Sequence, residues 1–181
     1  MIPRVHRRGA SVGEVLHYLF GPGEYRDHHR PRVIAAWAYA TVGGVDELQP
    51  ATTAGGRRVL RRLVESMEQP VVAGVHPPPK PVWHCSLHNH ADDALLSDQQ
   101  WAQIAVQFMA GVGLAPHGDL GAVRWLGIRH GDDHVHLIAT LVRQDGRTVW
   151  AWNDYRSAQA AARELEDRYG LHRVGPDLPT P

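Results

Sequence analysis

The sequence predicts an α+β fold, a central antiparallel sheet with helices packed on it. Three observations predict it. Val82 to His88 and His134 to Leu141 alternate side chains with the period of two that a strand requires. Four other segments, near residues 12–20, 56–67, 97–112 and 154–169, carry apolar stripes at helical spacing. In the middle of the chain the strand-like segments follow one another across short turns, which suits antiparallel pairing and not a parallel crossover. The expected order is β-α-β-α-β-α-β-β-β-α, one sheet with helices on a face.

Bulk composition fits one domain. The chain has 181 residues and 43% hydrophobic content, enough to bury a sizeable core. No apolar run approaches a membrane span, and Met1 to Arg8 is not followed by an apolar signal core. No membrane insertion and a cytoplasmic location are the expectation. The single cysteine, Cys85, excludes an intramolecular disulfide framework. Net charge is zero but unevenly spread: residues 1–62 hold ten basic and five acidic residues, the remainder nine and fourteen. Of the nineteen basic residues only Lys80 is lysine. Arginine suits bidentate phosphate contacts, so the N-terminal bias is weak support for a polyanionic partner. A GC-rich genome produces the same preference for arginine.

Residues 2–8 read as a basic edge strand stopped by Gly9. Ser11-Val12-Gly13-Glu14 is a capping-box pattern and opens a helix to about Phe20, stopped by Gly21-Pro22-Gly23. Val12, Val15, Leu16 and Leu19 form its buried stripe. Tyr18 lies on the flank of that stripe, roughly 100° from its centre at 3.6 residues per turn, and His17 points nearly away. Tyr18 can thus pack its ring and present its hydroxyl, or simply be an amphipathic boundary residue. Tyr25 to Arg32 is a polar, His- and Arg-rich loop. Val33 to Ala40 suits a buried strand, although its alanines also suit a helix. Residues 41–55 read as a Gly- and Thr-rich loop. Gly56 to Met67 is expected as a helix, with Val59, Leu60, Leu63 and Val64 inward. Its Arg57, Arg58, Arg61 and Arg62 form either a solvated face or a DNA-backbone face.

His76 to Pro81 is a stiff connector. In the strand that follows, Trp83, Cys85 and Leu87 share one face and His84, Ser86 and His88 the other; His88 and His90 also read as exposed loop residues. Ser97 caps a long helix to about Val112, with Trp101, Ile104, Ala105, Phe108 and Met109 inward. Pro116 to Gly121 is a loop, and a hairpin runs on to Val142. Gln144 to Arg147 is a turn with Asp-Gly at its centre, and Thr148 to Trp152 a short strand. Asp154 caps a last helix to Tyr169, ended by Gly170. The domain is expected to span 1–171. Residues 172–181, with three prolines, read as the start of a linker to a further C-terminal region.

The chemistry concentrates in the hairpin from Trp125 to Thr140. His134 and His136 lie two apart on a strand, on one face, where two imidazoles can reach one metal ion. His130 becomes a third ligand under one condition. If Gly131, Asp132 and Asp133 form a three-residue turn, His130 sits opposite His134, and directly paired residues share a face. A two-residue turn would pair it with Val135 and send it to the other side. The acidic turn residues, Asp132 foremost, are placed to orient an imidazole. A cupin-type site wants a Glu four to five residues after the second His, and a histidine-triad nucleotide site wants a third alternating His where Ile138 stands. Neither pattern is met. If the 82–88 strand lies beside this one, His84 is placed to contact or order the ligand.

Three stretches together resemble the relaxases, the mobilisation nucleases of conjugative plasmids and integrative elements. The similarity is to the MobP/VirD2-like branch of the HUH endonucleases, and within it to actinobacterial members. Ser11-Val12 with Leu16-His17-Tyr18-Leu19 is similar to the family's first motif. His84-Cys85-Ser86-Leu87 with Leu96-Ser97-Asp98 resembles the segment leading to its long helix. His130 to His136, with Asp145-Gly146-Arg147 and Asn153-Asp154, resembles its metal motif, His-hydrophobic-His here being His134-Val135-His136.

The resemblance implies a ferredoxin/RRM-like core and a site- and strand-specific nicking-joining reaction at a transfer origin. Tyr18 is the implied nucleophile, giving a 5′-phosphotyrosyl link and a free 3′-hydroxyl, with His17 and Tyr25 as alternates. It further implies Mn²⁺ or Mg²⁺ on His130, His134 and His136, with Zn²⁺ or Ni²⁺ also able to bind three imidazoles. His84 and Asp132 are assigned to the catalytic machinery. Arg4, Arg7, Arg8 and Arg129 are assigned to single-stranded DNA, and accessory and coupling proteins of a conjugation system to the partners. Two other readings stand beside it: a metal-dependent enzyme acting on a small molecule with the same histidines, and an inactive single-stranded DNA-binding accessory protein.

Overall fold

A computed structural model describes residues 1–21, 30–37 and 44–174 of the chain. In order these form β1 (Ile2–Val5), α1 (Val12–Phe20), β2 (Arg32–Ala36), a 3₁₀ turn (Val45–Leu48), β3 (Ala51–Thr52) and β4 (Arg58–Val59). There follow α2 (Arg61–Ala73), β5 (Val82–His88), α3 (Asp98–Gly111), β6 (Val123–Arg129), β7 (His134–Arg143) and α4 (Asp154–Tyr169). Five strands make one sheet in the order β1-β5-β7-β6-β2, every neighbouring pair antiparallel, while β3 and β4 form a separate small hairpin. The architecture is the expected α+β sheet with four helices packed on it. No described helix is long and apolar enough to cross a membrane.

The sheet has two unlike faces. Trp83, Cys85, Leu87, Val135, Leu137 and Ala139 are fully buried, toward Trp101, Ile104, Ala105, Phe108 and Met109 of α3. A Cβ on Gly111 would sit 2.9 Å from the Ala161 side chain, so this glycine permits the close crossing of α3 and α4. Removing such large apolar side chains from water contributes roughly 1.5–3 kcal/mol each, the main force holding the layers together. The opposite face carries the histidines. α2 packs beyond them, where Gly74 meets Val142, and α1 lies against α2 through Gly13 and Val64.

Several expectations are corrected. Ser11 does cap α1, accepting from the Gly13 N–H at 3.0 Å, but the acid completing the cap is Glu68 of α2 and not Glu14. Glu68 takes both the Ser11 hydroxyl and the Val12 N–H, tying the two helices together. α2 starts at Arg61, so only Arg61 and Arg62 of the four arginines lie on it; Arg57 and Arg58 belong to the turn and strand before it. The expected end near Met67 is overrun to Ala73, with Pro70 inside the helix. Proline leaves the carbonyl four residues earlier without a helical donor, and Arg124 supplies one to Ser66 O at 2.5 Å. Thr148 makes a single bridge to Val142 and no strand follows it, so Trp150 and Trp152 are exposed. Asn153, in the left-handed region at φ 57°, occupies the cap of α4, and Asp154 is its first residue. Segment 172–174 is docked: His172 N–H donates to Asp93, and Val174 N–H to Glu166. Tyr25 and the later part of the 33–40 run lie outside the described residues.

Candidate metal centre and nuclease site

The turn after β6 has three residues. Arg129 pairs with Val135 and Ile128 with His136, which sets His130 opposite His134, its N–H 3.5 Å from the His134 carbonyl. The parity condition is met, and the three imidazoles converge. Their ring centroids form a nearly equilateral triangle, 5.4 Å (130 to 134), 5.2 Å (130 to 136) and 5.4 Å (134 to 136). Their planes stand 73°, 87° and 76° apart. His130 Nδ1 is 3.2 Å from His134 Nε2, and one donor atom from each ring lies within 4.8 Å of the other two.

The rest of the donor set fits a divalent ion. A ligating imidazole must be neutral, with its other nitrogen held by a partner. Asp133 holds His134 Nδ1 at 2.8 Å. His84 Nε2 holds His136 Nδ1 at 2.8 Å, leaving Nε2 of His136 for the centre. Burial, and then the neighbouring histidines, hold His136 neutral, its pKa lowered to about 2. Burial, and then His6, lower His84 to about 3.

β5 supplies that support because its register places it there. Ser86 pairs with His136 and His88 with His134, so His84, Ser86 and His88 share the histidine face. His84 thus lies on the same face as His136 and in hydrogen-bond contact with it. On β1, Arg4 pairs with Ser86, and the His6 N–H donates to the His84 carbonyl at 2.9 Å. The His6 ring stacks on His84 with centroids 4.1 Å apart, and its Nε2 lies 3.2 Å from Ser86 Oγ. Burial, and then Arg4, lower the His6 pKa. The sequence does not mark His6 or His88 as part of the site. Alternation along β1 and β5 marks the two histidines, once the pairing of those strands is known. His88 is half-buried and stacks on His134 at 4.8 Å, so it is part of the site and not an exposed loop residue.

Tyr18 projects from α1 toward the same centre. Its side chain is 63% exposed, and its ring centroid is 6.0 Å from that of His130. His17, the neighbouring alternate, is exposed. Two assignments change. Both turn acids are exposed; Asp132 gives its carbonyl to Arg129, and the turn carboxylate bonded to a histidine of the cluster is Asp133. Arg129 is buried on the opposite face. It donates to Asp98 at 2.6 Å, to Gly131 O at 3.1 Å and to Asp132 O at 3.0 Å, so it braces the turn and is not presented to DNA. Arg8 is likewise engaged, 2.7 Å from the Asp154 carboxylate that also accepts from Trp83. Arg4 and Arg7 are exposed, Arg4 on the histidine face. Cys85 is buried toward the helices, its thiol pushed up to about 12 by burial, and is not a nucleophile.

A family model described as "Relaxase: MobA/VirD2-like, nuclease domain" matches residues 60–171. That span includes all three converging histidines and β5. No curated protein and no solved structure matches the chain.

Proposed function

The chain belongs to the MobA/VirD2-like relaxases, DNA-nicking enzymes, and we propose that it nicks and rejoins one strand at a transfer origin with Tyr18 as nucleophile. One observation carries this reading: an exposed tyrosine on α1 stands beside His130, one of three imidazoles that converge from one hairpin. His130, His134 and His136 would hold the divalent ion, with Mn²⁺ or Mg²⁺ the working metal and Zn²⁺ or Ni²⁺ also suited to three nitrogens. Bound there, the ion supplies Lewis-acid polarisation of a phosphodiester and neutralises charge developing on its non-bridging oxygens.

The chain's own residues do the rest. The Tyr18 hydroxyl attacks phosphorus, forming the bond from Oη to phosphorus and releasing its proton to solvent. The bond from phosphorus to the 3′ oxygen breaks, and that oxygen keeps the electron pair and takes up a proton. The product is a 5′-phosphotyrosyl ester with a free 3′-hydroxyl. The ester retains the energy of the broken bond, so the reverse attack rejoins strands. His84 and Asp133 fix the tautomers of His136 and His134, and His6 supports His84 by stacking. Arg4 and Arg7 contact the DNA backbone; binding that depends steeply on salt is the expected signature. The same reading places the protein in mobilisation of a plasmid or integrative element, with accessory and coupling proteins as partners. Residues 1–171 then form the nuclease domain.

The test is a covalent-adduct assay with Mn²⁺ and single-stranded oligonucleotides tiled across the DNA flanking the gene, resolved on a denaturing gel and mapped by mass spectrometry. The expected result is an adduct on Tyr18 that Tyr18→Phe abolishes without loss of stability, since this side chain is mostly exposed. An adduct persisting in Tyr18→Phe would move the nucleophile to His17 or Tyr25. No adduct on any tile, with metal binding measured separately, would overturn the reading in favour of a small-molecule enzyme or an inactive DNA binder.

A further inference from the structure

A second group of metal-ligating side chains lies outside the nuclease centre. His90 and Asp92 belong to the loop after β5, and His172 to the segment after α4. One donor atom from each lies within 4.8 Å of the other two. The His90 and His172 rings stack with centroids 4.0 Å apart, and His90 Nδ1 is 3.4 Å from Asp92 Oδ2.

The backbones carrying these side chains are already fixed by other bonds. Asp93 clamps both imidazole-bearing residues, accepting from the His90 N–H at 3.3 Å through one oxygen and from the His172 N–H at 2.7 Å through the other. The His172 carbonyl accepts from the Met1 ammonium at 3.3 Å. Two residues 82 apart in sequence are therefore held ring to ring, so binding would order side chains and not backbone. Two imidazoles and one carboxylate, with Asp92 and His172 exposed to solvent, match the donor set of a borderline divalent ion. The rings stand nearly parallel, 16° apart, and His90 Nδ1 lies 3.3 Å from the Asp92 N–H, so the rings and the exposed carboxylate would turn out of this stack to bring their donors to the roughly 2.0–2.2 Å that Zn²⁺ takes from such ligands.

We propose that His90, Asp92 and His172 form a second, structural metal site for an ion of the Zn²⁺ class, separate from the nuclease centre. It pins the segment after α4 to loop 89–93. That loop in turn supports the catalytic turn, because the Asn89 N–H donates to the Asp133 carbonyl at 2.8 Å. The ion therefore braces the residue that orients His134. The inference stands on its own cluster and does not require the nicking reading.

The experiment is Zn²⁺ titration of the untagged full chain by calorimetry, repeated with Co²⁺ to read visible absorption, together with amide exchange of residues 89–93 and 171–174. His172→Ala is expected to bind one equivalent fewer than wild type. His134→Ala should also bind one fewer, and the double variant two fewer. Zn²⁺ should slow exchange in both segments for wild type and for His134→Ala, and not for His172→Ala. Asp92→Asn, which alters a mostly exposed side chain and neither imidazole, should weaken the same equivalent at least several-fold. His172→Ala that retains the wild-type stoichiometry, or exchange in these segments indifferent to Zn²⁺, would overturn the proposal.

Discussion

Replacing His84 by alanine tests whether the nuclease centre is held from behind. Nε2 of His136 can ligate a metal only if its Nδ1 carries the proton, and that proton is directed at His84 Nε2, 2.8 Å away. Both side chains are buried, so water does not readily replace the lost acceptor. Leaving a buried donor unsatisfied costs about 1–3 kcal/mol. At about 1.4 kcal/mol per tenfold, this is roughly 5- to 150-fold in metal affinity. The range agrees with the ~10–100-fold typical when a partner behind a ligand is removed. Competition against a chelator of known affinity, with Mn²⁺ and with Zn²⁺, reads the change directly. His84→Gln keeps an acceptor at similar reach and should recover part of the loss, which a purely steric effect would not produce. Affinity within twofold of wild type in His84→Ala would refute the reasoning, because His136 would then be oriented by something other than this bond.

Three further outcomes follow from the turn and its brace. Asp133→Asn should weaken metal binding several-fold by loosening His134, whereas Asp132→Asn should leave it unchanged; equal effects in the same chelator competition would contradict the assignment. Gly131→Ala places a Cβ 2.6 Å from the His134 ring, so it should cut nicking at least tenfold with little change in melting temperature, measured on one preparation. Asp98 accepts from both Arg32 and Arg129, and those bonds hold its carboxyl below the ordinary value of 3.8. A carboxylate of lowered pKa contributes stability that is present above its unfolded pKa and lost as the pH falls through the folded one. Asp98→Asn should therefore destabilise by about 1–2 kcal/mol in urea unfolding at neutral pH, less than a fully buried pair because the carboxylate stays partly solvated. The gap between variant and wild type should close below about pH 4; a gap unchanged at acid pH would show that charge is not its source.

The local features of this protein were legible in one dimension. Alternation in 82–88 and 134–141 and the stripes of α1, α3 and α4 depend on neighbours within a turn or a strand, and they recur in the structure. The sequence left the turn open between two and three residues; the pairing of Arg129 with Val135 makes it three and sets His130 opposite His134. What sequence reasoning missed is non-local in each case. Helix α2 runs through Pro70 because Arg124, 58 residues from Ser66, satisfies the freed carbonyl. Glu68 completes a cap that Glu14 was expected to close, for the same reason. Arg129 and Arg8 looked available to DNA because a sequence does not display the carboxylates that engage them.

The sequence by itself marked three histidines as candidate metal ligands, since alternation puts His134 and His136 on one side of a strand and a three-residue turn would add His130. The tertiary structure decided everything around them. It placed β5 and β1 beside that hairpin, set His84 behind His136 with His6 stacked on it, and brought Tyr18 from α1 to within 6.0 Å of the His130 ring. It also selected Asp133 over Asp132, since those two carboxylates are equivalent until the Arg129 guanidinium fixes the turn between them. The division has one physical cause. Periodicity reports which way a side chain points, whereas strand order and helix docking, settled by burial across the whole chain, report what it meets.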